Sequence, residues 1–198
     1  MDKKLIYVGG ISGVGKSSVI HGASVKTGLP HIRTGQTLGC ILRVDDYGDI
    51  SVELSRMNLR ERKRVNKQMW ESIFNQYDQG MIDGHYACRH SPTRDGYFNY
   101  FNPFPSNMVL YISQLVMIDD RIDNIQHNRA KDLGVRCRDV DIHQVKYDYY
   151  AENKGLRRVR KIKMIPTLII FKNGNLQYGV DELVKVCGEV YGHSNLRD

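Results

Sequence analysis

The clearest chemical signature lies near the start of the chain, in the stretch "GGISGVGKSSVI". Its Gly10, Gly15, Lys16 and Ser17 have the spacing Gly-x-x-x-x-Gly-Lys-Ser, which is typical of a loop that cradles phosphates. Glycines let successive backbone N–H groups converge on phosphate oxygens, and the helix that follows adds the positive end of its dipole. A strand-like run precedes the stretch and a helix-like run follows it. We therefore predict that residues 10–18, here called the phosphate loop, bind a nucleoside triphosphate.

Two oxygen-bearing side chains are expected to hold Mg²⁺ beside this loop. Lys16 would reach the outer phosphates, and Ser17 would offer its hydroxyl to the metal ion. Asp83 follows the apolar run "GMI", where phosphate-binding α/β folds place a carboxylate near Mg²⁺, usually through water. Ligands collect beyond the carboxyl ends of the strands in such sheets, so we expect Asp83 to face the phosphate loop.

A third group of charges lies in "HNRAKDLGVRCRD", which contains Arg129, Lys131, Arg136 and Arg138. Phosphoryl transfer spreads negative charge over the transferred group, and guanidinium groups stabilise that charge best where water is excluded. We therefore predict an arginine-bearing lid between two helices, in preference to a solvated basic turn or a nucleic-acid patch.

The elements that must position these residues alternate along the chain. Short apolar runs predict strands at 5–8, 31–33, 80–86, 107–113 and 167–174. Helices are predicted directly after the phosphate loop and at 52–79, 119–133 and 141–155. The long helix would bury a stripe made of Leu59, Val65, Met69, Ile73 and Phe74. Residues 91–107, rich in aromatic side chains, Asn and Pro, are predicted to form one irregular loop. This alternation indicates a parallel sheet with helices on both faces.

Composition limits the class of protein without choosing a function. The 198 residues are 41% hydrophobic and 26% charged, as in an ordinary globular domain, and predict a single domain. The formal net charge of +7 suits a polyanionic partner, either nucleotide phosphates or nucleic acid. The four cysteines form no Cys-x-x-Cys pair, which argues against a disulfide framework or a zinc ribbon. Without a signal-like N-terminus or an apolar run of about 18 residues, we expect a soluble cytoplasmic protein.

In combination, these motifs resemble those of the P-loop nucleoside monophosphate kinases, and most of all the archaeal-type adenylate kinases. The phosphate loop is close to that family's Gly-Ile-Pro-Gly-Val-Gly-Lys-Thr-Thr-Val, and "IDGH" at 82–85 is similar to Ile-Asp-Thr-His. "SPTRDGY" at 91–97 resembles Thr-Pro-x-Gly-Tyr, and 128–139 resembles the lid pattern Arg-Arg-x-x-Asp-x-x-Arg-x-Arg-Asp. "KNGN" at 172–175 stands where the family has an Asn-rich turn near the ATP base. The likeness follows the same order over nearly the whole chain.

The resemblance implies a three-layer α/β fold of the P-loop NTPase type, with a five-stranded parallel sheet in the order 2-3-1-4-5. A mobile lid would lie at about 127–139. The implied reaction is phosphoryl transfer from ATP–Mg²⁺ to a nucleoside monophosphate, AMP above all, bound in a helical region at about 34–79. Arg129, Arg136 and Arg138 match the lid arginines that clamp the phosphates. Arg56 matches the arginine that binds the acceptor. The residues that match nucleotide-binding positions are Gly10, Ser12, Gly13, Val14, Gly15, Lys16, Ser17, Ser18 and Asn173.

The chain departs from the family pattern at several positions. Ser12 replaces a proline, Asn128 replaces the first lid arginine, and Val135 resembles a one-residue insertion. The segment 98–107 differs from the short Gly-Leu-Pro pattern of the family. These departures bear on the identity of the acceptor more than on the donor chemistry.

Two alternatives to a monophosphate kinase stay open. If the acceptor is a hydroxyl, on a nucleoside, another small molecule or a nucleic acid, Asp83 becomes a candidate general base. Alternatively, the protein is an ATPase or binding protein that acts with RNA, with the aromatic residues at 97–104 as stacking platforms. For those aromatic residues, packing against the body of the protein is the preferred interpretation.

Overall fold

The computed structural model describes residues 3–92, 98–101, 103–104, 111–131, 141–163 and 165–192. The strands are β1 (Lys4–Gly9), β2 (His31–Arg33), β3 (Gln79–Asp83), β4 (Cys88–Pro92), β5 (Phe98–Phe101), β6 (Ile112–Asp119) and β7 (Thr167–Phe171). The helices are α1 (Lys16–Thr27), α2 (Thr34–Leu42), α3 (Tyr47–Arg56), α4 (Leu59–Gln76), α5 (Ile122–Lys131), α6 (Ile142–Lys163) and α7 (Leu176–Tyr191).

Five of the strands form one parallel sheet in the spatial order β2-β3-β1-β6-β7. Counted along the chain, this is the order 2-3-1-4-5, so the predicted fold class is confirmed. The strand register brings the carboxyl ends to one edge, because Val8 pairs with Asp83 and Asp83 also pairs with Arg33 of β2. On the other side of β1, Asp119 at the end of β6 pairs with Phe171. Polar residues that are far apart in sequence therefore meet at the edge where the phosphate loop begins.

Each face of the sheet is covered by its own hydrophobic core. Successive side chains of β1 point to opposite faces, as the pleat of a strand requires. Leu5 and Tyr7 join a core with Trp70 of α4, whereas Ile6 and Val8 join a core with α1 and α7. The side chains of these β1 residues are at most 1% exposed. The sheet is consequently a rigid middle layer from which the loops at its carboxyl edge project.

The predicted helix at 52–79 is two helices, α3 and α4, separated by a capping box. Asn58 Oδ1 accepts a hydrogen bond from the Glu61 backbone N–H at 3.0 Å, and Glu61 Oε2 accepts one from the Asn58 backbone N–H at 2.8 Å. This reciprocal pair satisfies free N–H groups and starts a new helix at Leu59. Most of the predicted stripe is buried, namely Val65, Met69, Ile73 and Phe74, whereas Leu59 is only partly buried. Helix α2, which precedes these two, was not predicted.

The fourth parallel strand and the last helix also differ from the prediction. The fourth parallel strand begins at Ile112 and continues to Asp119, later than the predicted 107–113. This strand pairs with β1 through Ile112 and residues 114–117, and with β7 through residues 115–119. Helix α7 was not predicted; Asn175 caps it by accepting from the Tyr178 backbone N–H at 3.1 Å. None of the helices in the described part of the chain is long and apolar enough to cross a membrane.

The segment predicted as an irregular loop contains an antiparallel hairpin. Strands β4 and β5 pair there, with Cys88 opposite Phe101 and Arg89 opposite Tyr100. After the hairpin, Phe104 is buried, with its ring centroid 4.5 Å from that of Tyr7. This aromatic residue packs against the body of the protein, as the preferred interpretation predicted.

Candidate active site

Glycines of the phosphate loop have positive φ angles. Gly13 has φ +92° and Gly15 has φ +86°, a region that side chains with a Cβ rarely adopt. A Cβ on Gly13 would also lie 2.7 Å from Arg129 Cγ. Helix α1 starts at Lys16, directly after Gly15, so its first N–H groups point toward the loop. Space and backbone conformation together explain why glycine stands at these positions.

Lys16 and Asp83 form an ion pair at the base of the loop. Lys16 Nζ lies 2.7 Å from Asp83 Oδ1, and both side chains are about nine-tenths buried. His31 Nε2 lies 3.3 Å from the other carboxylate oxygen. Burial alone would raise the pKa of Asp83, but the charge of Lys16 and hydrogen bonds from His31, Lys16 and Ser17 hold that pKa well below its usual range. Asp83 is therefore ionised at neutral pH and lies beside the Ser17 hydroxyl.

Helix α5 holds the other side of the phosphate loop. Arg129 Nε donates to the Ser12 carbonyl at 2.8 Å, and Asn128 Nδ2 donates to the Gly13 carbonyl at 3.0 Å. Arg129 is 1% exposed and also pairs with Asp148 of α6 at 2.9 Å. Asn128, noted above as a departure from the family pattern, thus fixes the loop backbone. Arg129 lies beneath the loop in this arrangement, and its role as a phosphate-clamping residue stays a prediction.

A second buried ion pair, which sequence reasoning missed, joins the turn after β7 to the end of β6. Lys172 Nζ lies 2.8 Å from Asp120 Oδ2, and both side chains are at most 5% exposed. Asp120 also accepts from Asn124 Nδ2 at 2.9 Å and from the Gly174 backbone N–H at 3.0 Å. Burial alone would raise the pKa of Asp120, but the hydrogen bonds from Lys172 and Asn124 lower it below its usual value. The available signal was the "DD" at 119–120, at the end of β6, and the "KNG" at 172–174, directly after β7.

A cavity of about 1150 Å³ opens over the phosphate loop. Its loop end is lined by Ser12, Gly13, Lys16, Asn124, Lys131 and Lys172. Its helical end, beneath α2, α3 and α4, is lined by Arg33, Thr34, Leu38, Asn66, Met69 and Trp70. Asp83 and His85 also line the cavity. One continuous space thus extends from the phosphate loop to α2, α3 and α4, where its walls carry apolar and hydrogen-bonding side chains.

The structure brings seven of the predicted site residues to this cavity. The predicted residues that line it are Ser12, Gly13, Gly15, Lys16, Ser17, Ser18 and Asp83. Gly10 and Val14 belong to the loop but face the protein interior, where Val14 is fully buried and a Cβ on Gly10 would lie 2.6 Å from the Ile118 carbonyl oxygen. Arg136 and Arg138 lie outside the described residues.

Like Arg129, two more predicted residues do not line the cavity. Arg56 ends α3 with a side chain that is 70% exposed and pairs with Glu53 at 2.6 Å. Asn173 lies in the turn after β7, where Lys172 and Gly174 line the cavity and Asn173 does not. Arg33, at the end of β2, is a cation that sequence reasoning missed and that does line the helical end. The predicted roles of Arg56 and Asn173 in binding stay predictions.

A parallel sheet in this order, with a phosphate loop between β1 and α1 and a carboxylate at the end of β3, defines a P-loop nucleoside triphosphate-binding protein. The family model described as an AAA domain matches residues 9–146, which is most of the chain. The chain therefore belongs to the AAA domain family. No curated protein matches its sequence.

Solved structures share the fold over nearly the whole chain. A shikimate kinase from Acinetobacter baumannii in complex with shikimate matches with a TM-score of 0.63 and 10% identity, covering 95% of this chain and 92% of that chain. A shikimate kinase from Bacteroides thetaiotaomicron matches with a TM-score of 0.58 and 13% identity, covering 93% and 96%. A gluconokinase from Sinorhizobium meliloti 1021 matches with a TM-score of 0.53 and 12% identity, covering 98% of each chain. At 10–13% identity these matches show a shared fold, and they do not single out adenylate kinase.

Proposed function

We propose that the protein transfers the γ-phosphoryl group of ATP–Mg²⁺ to a small acceptor held in the helical end of the cavity. The observation that carries this proposal is the meeting of Lys16, Ser17 and Asp83 inside one cavity of about 1150 Å³. Sites for a single small ligand usually enclose about 300–1000 Å³, so this space suits two substrates side by side. The AAA domain family and the kinase fold of the matched structures agree with it.

The residues of the loop end suit the donor nucleotide. Lys16 can exchange its contact with Asp83 for the outer phosphates, and the backbone N–H groups at the start of α1 can bind phosphate oxygens. The Ser17 hydroxyl and the ionised Asp83 carboxylate form the hard oxygen set that Mg²⁺ prefers, so the residues present fit this ion. Bound Mg²⁺ would neutralise phosphate charge during transfer. Lys131 adds positive charge to the same end, whereas the charge of Lys172 is balanced by Asp120.

We assign AMP, or another nucleoside monophosphate, as the first acceptor to test. Met69 and Trp70 provide an apolar wall for a base, Asn66 and Thr34 provide hydrogen-bonding groups, and Arg33 provides a cation for the acceptor phosphate. The two substrates would be held in line, which converts an encounter of two molecules into a reaction within one complex. Arg136 and Arg138 would complete the charge neutralisation if the lid prediction holds.

A hydroxyl acceptor is the second candidate, and a specific observation favours it. Arg56, the residue matched to the acceptor-binding arginine, points away from the cavity, so Arg33 is the cation described at the helical end. The matched structures include kinases named for shikimate and gluconate, compounds that carry hydroxyl groups. With such an acceptor, Asp83 would take the hydroxyl proton as the oxygen bonds to the γ-phosphorus and the bond to ADP breaks.

The test is a product analysis with a panel of acceptors. Purified protein is incubated with ATP–Mg²⁺ and, in turn, each common nucleoside monophosphate, nucleosides, shikimate and gluconate, and the products are separated by anion-exchange chromatography. ADP formation that requires AMP supports the monophosphate kinase, whereas a phosphorylated hydroxyl compound supports the second candidate. ATP hydrolysis at the same rate with and without every acceptor would overturn the kinase proposal in favour of an ATPase. Lys16→Ala protein serves as the control for contaminating kinases.

A further inference from the structure

A second pocket lies on another part of the surface, between α6 and the hairpin of β4 and β5. It encloses about 160 Å³, a space of the size of one nucleobase, and shares none of its lining residues with the active-site cavity. Its walls include Tyr100 of β5 and, from α6, Tyr147, Tyr150, Lys154 and Arg158. We call these five residues the tyrosine–lysine face. The fold and the proposed reaction leave this pocket without a role.

Two tyrosine rings of this face are exposed, and a third, from Tyr100, is partly buried against one of them. Tyr147 is 38% exposed and Tyr150 is 65% exposed, which is unusual for large rings on one helix face. The Tyr100 ring lies 5.9 Å from the Tyr147 ring, and its hydroxyl donates to the buried Asp148. Lys154 Nζ lies 6.0 Å from the centre of the Tyr150 ring. Exposed aromatic rings beside cations are what an unpaired base and its phosphate bind to in proteins that hold single strands.

The exposed charged side chains of α6 around these rings are all positive. Helix α6 presents Lys146, Lys154, Arg157, Arg158, Arg160 and Lys161 to solvent. Its two acidic residues, Asp148 and Glu152, are buried and bind inward, Asp148 to Arg89 and Glu152 to His85. The steps of three and four residues from Tyr147 to Tyr150, Lys154 and Arg158 place rings and cations on one stripe of the helix. The face therefore combines a basic surface with aromatic rings.

We propose that the tyrosine–lysine face binds single-stranded nucleic acid, with an unpaired base against the tyrosines and the backbone phosphates along the cations of α6. A base-sized pocket beside open rings fits a strand whose bases are accessible, and a duplex hides its bases in the stack. An acidic peptide would form ion pairs with the cations but would provide no base to stack on the three tyrosines. This binding site is separate from the proposed kinase reaction and does not depend on it.

The test is fluorescence anisotropy with labelled twelve-nucleotide oligo-uridine, oligo-adenine and the equivalent single-stranded DNA, with a twelve-base-pair duplex for comparison. We expect the single strands to bind and the duplex to bind at least tenfold more weakly. If three or four phosphates are neutralised, raising salt from 50 to 200 mM should weaken single-strand binding about 20- to 50-fold. Equal binding of duplex and single strand, or no binding at 50 mM salt, would overturn the proposal.

Paired variants separate stacking from charge. Tyr147→Ala with Tyr150→Ala should weaken binding about tenfold or more, because each base–aromatic stack accounts for roughly that factor. Replacing both by Phe should retain binding, since phenylalanine keeps the ring. Lys154→Glu with Arg158→Glu should weaken binding and reduce its salt dependence, whereas the matched change Lys67→Glu with Lys185→Glu, at exposed lysines of α4 and α7, should have little effect. An equal loss in the matched variant would show diffuse attraction to the +7 charge and would overturn the site.

The measurements keep this site distinct from the kinase proposal. ATP turnover should be unchanged in the tyrosine and α6 variants, because none of these residues lines the active-site cavity. Binding to vesicles of anionic lipid, or to poly-glutamate, with an affinity equal to that for oligo-uridine would also contradict the assignment.

Discussion

Lys16 Nζ lies 2.7 Å from Asp83 Oδ1, so the lysine of the phosphate loop and the carboxylate that ends β3 share one buried site although 67 positions separate them in the sequence. The parallel register of β1 and β3, in which Val8 pairs with Asp83, creates this proximity. His31, at the start of β2, completes the arrangement from the next strand. Strands β2 and β3 and the first residue of α1 therefore supply the polar groups at the base of the phosphate loop.

The first prediction concerns this lysine. Lys16→Ala should lower the rate of ATP turnover by about 10²-fold or more, because a positioned cation that stabilises transferring phosphate is lost. The far-ultraviolet circular dichroism spectrum should be unchanged, since Asp83 keeps its contacts with His31 and Ser17. Lys26→Ala is the matched control on the same helix, where the lysine is exposed and pairs with Asp181 at 2.7 Å. A Lys16→Ala protein with full activity would remove the phosphate-loop assignment.

The second prediction concerns acid stability and Asp148. Burial alone would raise the pKa of Asp148, but the hydrogen bond and charge of Arg89, with help from Tyr100 and Arg129, lower the pKa below its usual value. The unfolded chain, where an aspartate has a pKa of about 3.9, then binds more protons than the folded protein, so stability falls as the pH falls below about 4. Asp148→Asn should flatten this part of the curve of unfolding free energy against pH.

Urea denaturation at several pH values between 3 and 7 measures that effect. Between pH 6 and pH 7 the carboxylate is ionised in both states, so the curves of wild type and Asp148→Asn should run parallel there. If the curves are also parallel between pH 3 and pH 5, Asp148 does not contribute to acid stability as its contacts indicate.

The sequence predicts those parts of the fold and site that depend on local pattern. The phosphate loop and Asp83 follow from short motifs, and the parallel sheet follows from the alternation of strands with helices. The order of the five strands was implied by the family resemblance. The pairs Lys172–Asp120 and Arg129–Asp148 could not be predicted, because each joins residues of different elements through a specific register and helix orientation. The break between α3 and α4 corresponds to a capping-box pattern at Asn58 in the sequence. That pattern lies within a continuous charged stretch, which reads as one long helix.

Arg33 and Arg56 show the same limit at the helical end of the cavity. The region contains many basic residues, and a match to a family pattern cannot decide which of them lines the cavity. Arg33 lies at the end of β2, next to Asp83 in the sheet. Arg56 lies in the last turn of α3 and faces solvent. Only the packing of α2, α3 and α4 distinguishes the two.

The third prediction separates the structural and ligand-binding roles of α5. Arg129→Met removes the hydrogen bond to the Ser12 carbonyl and one cation beside the buried Asp148. The free energy of unfolding should fall by about 2–5 kcal/mol, because a buried carboxylate and a buried carbonyl each lose a partner. The KM for ATP should also rise, since the phosphate loop loses its support.

Lys131→Met is the matched variant two positions further along α5. Lys131 is exposed and lines the loop end of the cavity, so its loss should raise the KM for ATP while unfolding changes by no more than about 0.5 kcal/mol. Urea denaturation and initial-rate kinetics on both variants provide the comparison. Wild-type stability in Arg129→Met would contradict the supporting role of this side chain.

The last prediction concerns where the acceptor binds, and it is tested with the acceptor that the product analysis identifies. Arg33 lines the helical end of the cavity, and a hydrogen bond from its guanidinium to a charged acceptor is worth about 1.5–3 kcal/mol. Arg33→Ala should therefore raise the KM for an anionic acceptor about 10- to 100-fold while the KM for ATP changes little. Arg56→Ala should alter neither constant, because its side chain is 70% exposed and pairs with Glu53 outside the cavity. The reverse result, a loss in Arg56→Ala and none in Arg33→Ala, would move the acceptor away from Arg33 and would support the arginine implied by the family resemblance.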